Sequence, residues 1–185
     1  MVFQETPLLG AFLIDLERIE DERGFFSRTF CAAEFEAHGL HDRFVQCNVS
    51  FNLRKGTLRG LHYQRAPYEE GKLVRCTMGA VWDVIVDLRS SSPTRGRWYA
   101  AELSAENRKA IFVPPGFAHG FLTLADNSEV FYQMSEAYKT GSEAGIHYAD
   151  PALAIDWPTA IELVSQRDEC LPWLDGTRGS PDDPA

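Results

Sequence analysis

In Val81-Trp82-Asp83-Val84-Ile85-Val86-Asp87-Leu88 the residues separate into two faces by a two-residue repeat. Alternation sets Trp82, Val84, Val86 and Leu88 on one face and Val81, Asp83, Ile85 and Asp87 on the other, which is the period of an extended strand. One strand of a barrel accounts for this pattern. A carboxylate at Asp83 among apolar same-face neighbours needs a partner if it is buried, so it is either a pocket residue or a paired structural acid, and the pocket is preferred.

Short runs of the same kind occupy 44–51, 57–64, 72–88, 98–103, 110–113, 119–124 and 130–136. Lys55-Gly56, Met78-Gly79, Ser92-Pro93 and Asp126-Asn127 punctuate them as turns. Residues 31–38 form the one convincing helix toward the N-terminal end, an Ala/Glu-rich stretch closed by Gly39, where a left-handed cap fits. Its expected role is to cover a sheet face. The chain is therefore expected to be mostly β, with a few short helices.

A chain of 185 residues, 44% of them apolar, can bury a real core, and no break in composition marks a second domain. One domain over 1–174 is expected, followed by a polar, Gly/Ser/Pro-containing tail at 175–185 that is expected to be loose. The first fifteen residues lack the pattern of a secretory leader, and no apolar run reaches membrane-spanning length, so a cytoplasmic protein is expected. Cys31, Cys47, Cys76 and Cys170 have neither zinc-site nor disulfide spacing and read as reduced thiols. A net charge of −9, from 18 basic and 27 acidic residues, argues against nucleic acid or an anionic membrane as partner. An anionic small molecule would need a local basic pocket, which draws attention to Arg23, Arg59 and Lys72.

Polar groups concentrate in four motifs, at 21–26, 46–50, 56–64 and 114–120. In Gln46-x-Asn48-x-Ser50 three polar side chains share one strand face, which serves equally as a solvated face or as a ligand-contact face. His62 is the leading general base, because imidazole is unprotonated near neutral pH. Arg59 and Lys72 bring to the same region the positive charge that an enolate or a pyrophosphate requires. Strict alternation puts Arg59 and His62 on opposite faces, so both enter one pocket only if the strand bulges between them, and Gly60 permits this. Tyr132 reads either as a core tyrosine or as a proton donor opposite His62. A base and an acid on opposite faces of a planar enolate invert the carbon between them.

Pro114-x-Gly116-x-x-His119 and the 56–64 segment resemble the two motif patches of cupins, which commonly bind a metal there. Here His62-Tyr63-Gln64 stands in place of a His-x-His pair, too few ligands for a tight site, so no metal is expected. The chain further resembles the dTDP-4-dehydrorhamnose 3,5-epimerase family over 2–174. The resemblance is carried by Arg23-Gly24-x-Phe26, Gln46-x-Asn48-x-Ser50, Arg59-Gly60-Leu61-His62-x-Gln64, Lys72-Leu73-Val74-Arg75, Asp83-Val84-x-Val86-Asp87-Leu88-Arg89 and Pro115-Gly116-Phe117-Ala118-His119-Gly120-Phe121. Tyr132, Tyr138, Glu143-x-Gly145-Ile146, Asp150-Pro151 and Trp157-Pro158 complete it.

The resemblance implies a cupin-type jelly-roll β-barrel, a homodimer exchanging N-terminal strands, and catalysis without a cofactor. It also implies roles: His62 as base, Asp168 as the carboxylate orienting it, Tyr132 as acid and Lys72 as stabiliser of the C4 enolate. Arg23, Gln46, Asn48, Ser50, Arg59, Asp83, His119, Glu143 and Arg167 would line the nucleotide-sugar site, with Tyr138 stacking on the base. Arg28 would belong to the same site and departs from the family, which usually has a glutamate there. Such a change reverses a charge and replaces an acceptor by a donor. The implied reaction is inversion at C3 and C5 of a nucleotide-linked 4-keto-6-deoxyhexose. Two alternatives stay open: an epimerase of one carbon or of a non-thymidine sugar, and a non-catalytic sugar-nucleotide binding barrel.

Overall fold

The computed structural model describes residues 1–174, so the tail expected at 175–185 lies outside the described residues. Two short hairpins come first, β1 (Val2–Glu5) with β2 (Phe12–Asp15) and β3 (Ile19–Asp21) with β4 (Gly24–Phe26), followed by helix α1 (Ala32–Ala37). The body consists of β5 (Gln46–Asn52), β6 (Leu58–Gln64), β7 (Lys72–Met78), β8 (Ala80–Asp87), β9 (Trp98–Ser104), β10 (Ala110–Val113), β11 (Phe117–Thr123) and β12 (Ser128–Met134). A short β13 (Glu143–Gly145) and the one-turn helix α2 (Gln166–Glu169) follow.

The strands form two antiparallel sheets, in the order β1-β2-β10-β7-β12-β5 and β13-β6-β11-β8-β9, with β3-β4 standing apart as a two-stranded ribbon. The inner faces pack on each other through Leu13, Val74, Ile111 and Val130 from one sheet and Val81, Ile85, Leu103, Phe117 and Phe121 from the other. The result is the two-layered sandwich of a jelly roll.

The 81–88 stretch behaves as its alternation requires. Val81 and Ile85 enter the core between the sheets, while Val84 and Val86, with Trp82 and Leu88, pack on the outer face. That outer face is covered by Ile146, Leu153 and Trp157 from the segment after β13. On the other sheet the outer face of β2, β7 and β10 is covered by α1, whose Phe35 is fully buried against Ile14, Leu73, Ala110 and Phe112. Burial of one such side chain contributes roughly 1.5 to 3 kcal/mol, which holds a helix too short to be stable alone. Gly39, at φ +68°, ends it in the left-handed conformation anticipated from sequence.

Strands β1 to β4, β13 and helix α2 have no counterpart among the elements read from periodicity. Each is only three or four residues long, too short for a hydrophobic period to show. Among the described residues no helix is long and apolar enough to cross a membrane.

Candidate active site

A cavity of about 620 Å³ opens between the two sheets, and strand register decides which side chains face it. On the six-stranded side, Tyr132 of β12 pairs with Asn48 of β5 and Val74 of β7, while Met134 pairs with Gln46 and Lys72. Side chains at paired positions share a face, so Gln46, Asn48, Lys72, Tyr132 and Met134 form one wall, together with Ser50 opposite Val130. The polar face of β5 therefore lines the cavity rather than facing bulk solvent. Its apolar alternates, Val49 at 58% and Phe51 at 45% exposure, point outward.

On the five-stranded side, His62 of β6 pairs with His119 of β11, but Arg59 pairs with Phe121, so β6 carries one residue more than β11 over this span. This is the bulge anticipated at Gly60, which sits at φ +117°. A Cβ there would lie 2.7 Å from Gly120 Cα and 2.8 Å from the His119 carbonyl oxygen. The extra residue turns Arg59 to the same side as His62, and both line the cavity. Glu143 of β13, opposite Gln64, extends this wall.

His62 Nε2 lies 2.7 Å from Asp168 Oδ1, a residue 106 positions further along the chain. Helix α2 presents the carboxylate. Ser165 caps it by accepting the Asp168 amide at 3.1 Å, and the Gly60 amide donates to the second carboxylate oxygen at 3.1 Å. Burial pushes the Asp168 carboxyl up, but the hydrogen bond and charge of His62 and the Gly60 amide outweigh it and hold it below the usual range. An ionised Asp168 accepts the hydrogen bond of Nε2–H, which leaves the Nδ1 lone pair of His62 as the basic nitrogen.

Across the cavity, Lys72 Nζ forms an ion pair with Glu70 Oε1 at 2.9 Å and donates to the His62 carbonyl at 3.3 Å. Burial, ahead of an opposing contribution from Arg59 and a supporting one from Glu70, raises the Tyr132 phenol above its usual value and keeps it protonated. Arg59 Nε donates to Asn52 Oδ1 at 2.6 Å. Tyr138 donates its amide to Gln46 Oε1 at 3.0 Å and its hydroxyl to Glu143 Oε1 at 3.1 Å, so Gln46, Tyr138 and Glu143 form one rim, and Arg167 lines the same cavity. Among the described residues Ser50 Oγ is buried in the wall with no hydrogen-bond partner.

Three expected site residues lie elsewhere. Asp83 does not line the cavity: it is fully buried, with Oδ2 2.9 Å from His119 Nε2, so it is the paired structural acid rather than the pocket residue preferred from sequence. Arg23, with its side chain 85% exposed, pairs with Asp21 on the β3-β4 hairpin, and Arg28 pairs with Glu34 at 2.8 Å. Neither reaches the cavity of its own chain. Sequence reasoning missed Glu70, Asn52 and Met134. Of these only Glu70 gave a signal, as an acid two residues before a lysine already singled out.

The donor set does not fit the metal that cupins commonly hold. His62 and His119 each commit Nε2 to a carboxylate, and the Gln64 side-chain amide is used up, its Nε2 donating to Tyr68 O at 3.0 Å and its Oε1 accepting the Lys139 backbone N–H at 2.7 Å. Among the described residues no group of three or more His, Cys, Asp or Glu could hold a metal ion.

A jelly roll of cupin type enclosing an oriented imidazole, a buried ammonium and a protonated phenol defines the class: a barrel equipped for acid–base chemistry on a small molecule. The family model for dTDP-4-dehydrorhamnose 3,5-epimerase matches residues 5–176, and the chain belongs to that family of isomerases. It is 49% identical over 165 residues to the dTDP-4-dehydrorhamnose 3,5-epimerase of Shigella flexneri, covering 89% of this chain and 91% of the relative. The crystal structure of the enzyme of the same name from Elizabethkingia anophelis superposes with a TM-score of 0.92 at 40% identity, covering 95% of this chain and 97% of the other. A dTDP-6-deoxy-D-glucose-3,5-epimerase from Legionella pneumophila in complex with dTDP-4-keto-L-rhamnose gives 0.88 at 42% identity, covering 94% and 93%.

Proposed function

We propose that the chain inverts C3 and C5 of dTDP-4-dehydro-6-deoxy-D-glucose to give dTDP-4-dehydro-L-rhamnose, by proton removal and return through an enolate. The observation that carries this reading is the His62-Asp168 pair on one wall of a cavity whose opposite wall holds Tyr132 and Lys72. The C4 keto group acidifies the hydrogens at C3 and C5 alike. In a D-gluco ring both are axial on one face, so a base fixed on one wall can serve both carbons as the ring shifts. His62 Nδ1 takes the proton while Asp168 stabilises the imidazolium, the Lys72 ammonium meets the oxygen that gains charge, and Tyr132 returns a proton to the opposite face. Arg59 and Arg167 offer positive charge and donors to the diphosphate, with His119 in the same lining.

The working unit is a cytoplasmic homodimer of one epimerase domain spanning 1–174, with the β3-β4 hairpin as the exchanged element. Since β1 and β2 belong to the chain's own sheet through β10, the ribbon is the part free to cross. Its Ile19 and Phe26, 69% and 71% exposed, and the outward Val49 and Phe51 of edge strand β5 supply apolar surface for a partner. Four free thiols suit a reducing compartment.

Proton NMR of the protein with dTDP-4-dehydro-6-deoxy-D-glucose in deuterated water tests the reaction. Deuterium at C3 and C5 with conversion to the L-rhamno product is expected. Exchange at one carbon would make the chain a mono-epimerase, and binding without exchange would leave a sugar-nucleotide binding barrel.

A further inference from the structure

Glu70 is a buried carboxylate facing the cavity, and both its oxygens are engaged. Oε1 lies 2.9 Å from Lys72 Nζ, and Oε2 accepts the Gln64 backbone N–H at 3.0 Å. Its chain neighbour Glu69 is exposed. The two side chains of the ion pair are 4% and 7% exposed. Desolvating two charges opposes most of their mutual attraction, so a buried pair of this kind is a weak source of stability. Its geometry suits another purpose.

An ammonium has three N–H bonds. In Lys72 one is directed at Glu70 and one at the His62 carbonyl, which leaves one for a ligand. Gln64, whose amide holds the far side of Glu70, lies two residues beyond His62 on β6. The carboxylate thus clamps the strand that bears the imidazole to the side chain that bears the ammonium. The negative charge of Glu70 also adds to burial in keeping Tyr132 protonated, against the opposing charge of Arg59.

We propose that Glu70 is a positioning residue for the epimerisation, fixing the Lys72 ammonium so that its one remaining N–H meets the enolate oxygen at a set distance from His62. The inference rests on the reading of Lys72 given above. Preorganised donors at a developing oxyanion act on the chemical step rather than on ground-state binding.

The test is Glu70→Gln, alone and combined with Lys72→Met, with deuterium exchange at C3 and C5, kcat, KM and dTDP affinity measured for each. Glu70→Gln is expected to lower kcat and both exchange rates ~100-fold, with KM and dTDP affinity moving less than ~3-fold. If Glu70 acts through Lys72, adding Glu70→Gln to Lys72→Met costs less than ~2-fold more. A merely structural role would make the two losses multiply, and that result overturns the proposal. A slow Lys72→Met beside a Glu70→Gln of wild-type rate overturns the proposal alone. A Lys72→Met of wild-type rate overturns the reading of Lys72 and the proposal with it. Should Glu70→Gln fail to fold, Glu70→Asp keeps the charge but withdraws it from the ammonium. It is expected to lose more than ~10-fold in kcat, and wild-type kcat in that variant overturns the proposal.

Discussion

His62 on β6 and His119 on β11 stand directly opposite each other in the antiparallel register, and each gives its Nε2 to a buried carboxylate, Asp168 at 2.7 Å and Asp83 at 2.9 Å. The two imidazoles differ in access. The His62 side chain is 39% exposed and that of His119 is 8% exposed, so only the first offers a nitrogen broadly to a substrate, while the second is set into the wall and held there by Asp83.

The separation of roles can be measured. Loss of the base in His62→Ala is expected to lower exchange at C3 and C5 by roughly 100- to 10,000-fold, with dTDP affinity little changed. Asp168→Asn removes the charge that fixes the reactive tautomer and is expected to fall within the same range. His119→Ala is expected to act chiefly on KM. Exchange by NMR and binding by calorimetry distinguish these outcomes, and a His119→Ala variant slower in exchange than His62→Ala would reverse the assignment.

Gly60→Ala addresses the bulge that brings Arg59 and His62 to one side. An alanine at φ +117° is strained, and its Cβ would meet Gly120 Cα at 2.7 Å with backbone on both sides, so β6 and β11 must separate. The expected cost is about 2 kcal/mol or more, seen as a lower denaturation midpoint, together with loss of exchange as His62 shifts. A variant with wild-type stability and rate would show that the bulge tolerates a side chain.

Much of this arrangement was legible in the sequence where a period or a chain neighbour carried it. The alternation of 81–88, the polar face of Gln46, Asn48 and Ser50, and the need for a kink at Gly60 each follow from the two-residue repeat. What the repeat cannot supply is pairing across the sheets. Asp83 opposite Phe121 and beside His119 is a matter of register between β8 and β11, and from β8 alone a buried acid reads equally as pocket or partner. Asp168 reaches His62 from far along the chain, and only family resemblance linked them. Glu70 stands two residues before Lys72, but no strand period separates it from its exposed neighbour Glu69, because both lie outside any strand.

Asp87 carries a stability that depends on pH. Burial would raise its carboxyl, but hydrogen bonds from Arg89, Ser92 and Thr94 outweigh that and bring it down to about 2. Because the folded value lies below the unfolded one, the contribution is complete above the ordinary carboxylate range near pH 4 and fades as pH falls toward 2. Asp87→Asn is expected to cost about 2 kcal/mol at pH 7. The gap to wild type, followed by urea denaturation, is expected to narrow between pH 4 and pH 3. A gap independent of pH would assign the loss to packing instead.

Exchange of the β3-β4 hairpin makes the most distinctive demand, since Arg23 and Arg28 lie away from the cavity of their own chain. If the ribbon crosses to a partner, Arg23 acts there, and Arg23→Ala is expected to raise KM about 10-fold with kcat nearly unchanged, as for a contact made equally in ground and transition states. Phe26→Ser, by removing an exposed apolar anchor, is expected to weaken the dimer in sedimentation experiments and to raise KM in parallel. Arg28→Glu would set a carboxylate against Glu34, the present partner at 2.8 Å. If crossing sets residue 28 beside a partner's nucleotide and the wild type prefers another base, the new carboxylate is also expected to shift relative kcat/KM across dTDP, CDP, UDP and GDP sugars toward dTDP. A chain that is monomeric at micromolar concentration, with KM indifferent to Arg23, would end the exchange reading and leave the hairpin without a role in the site.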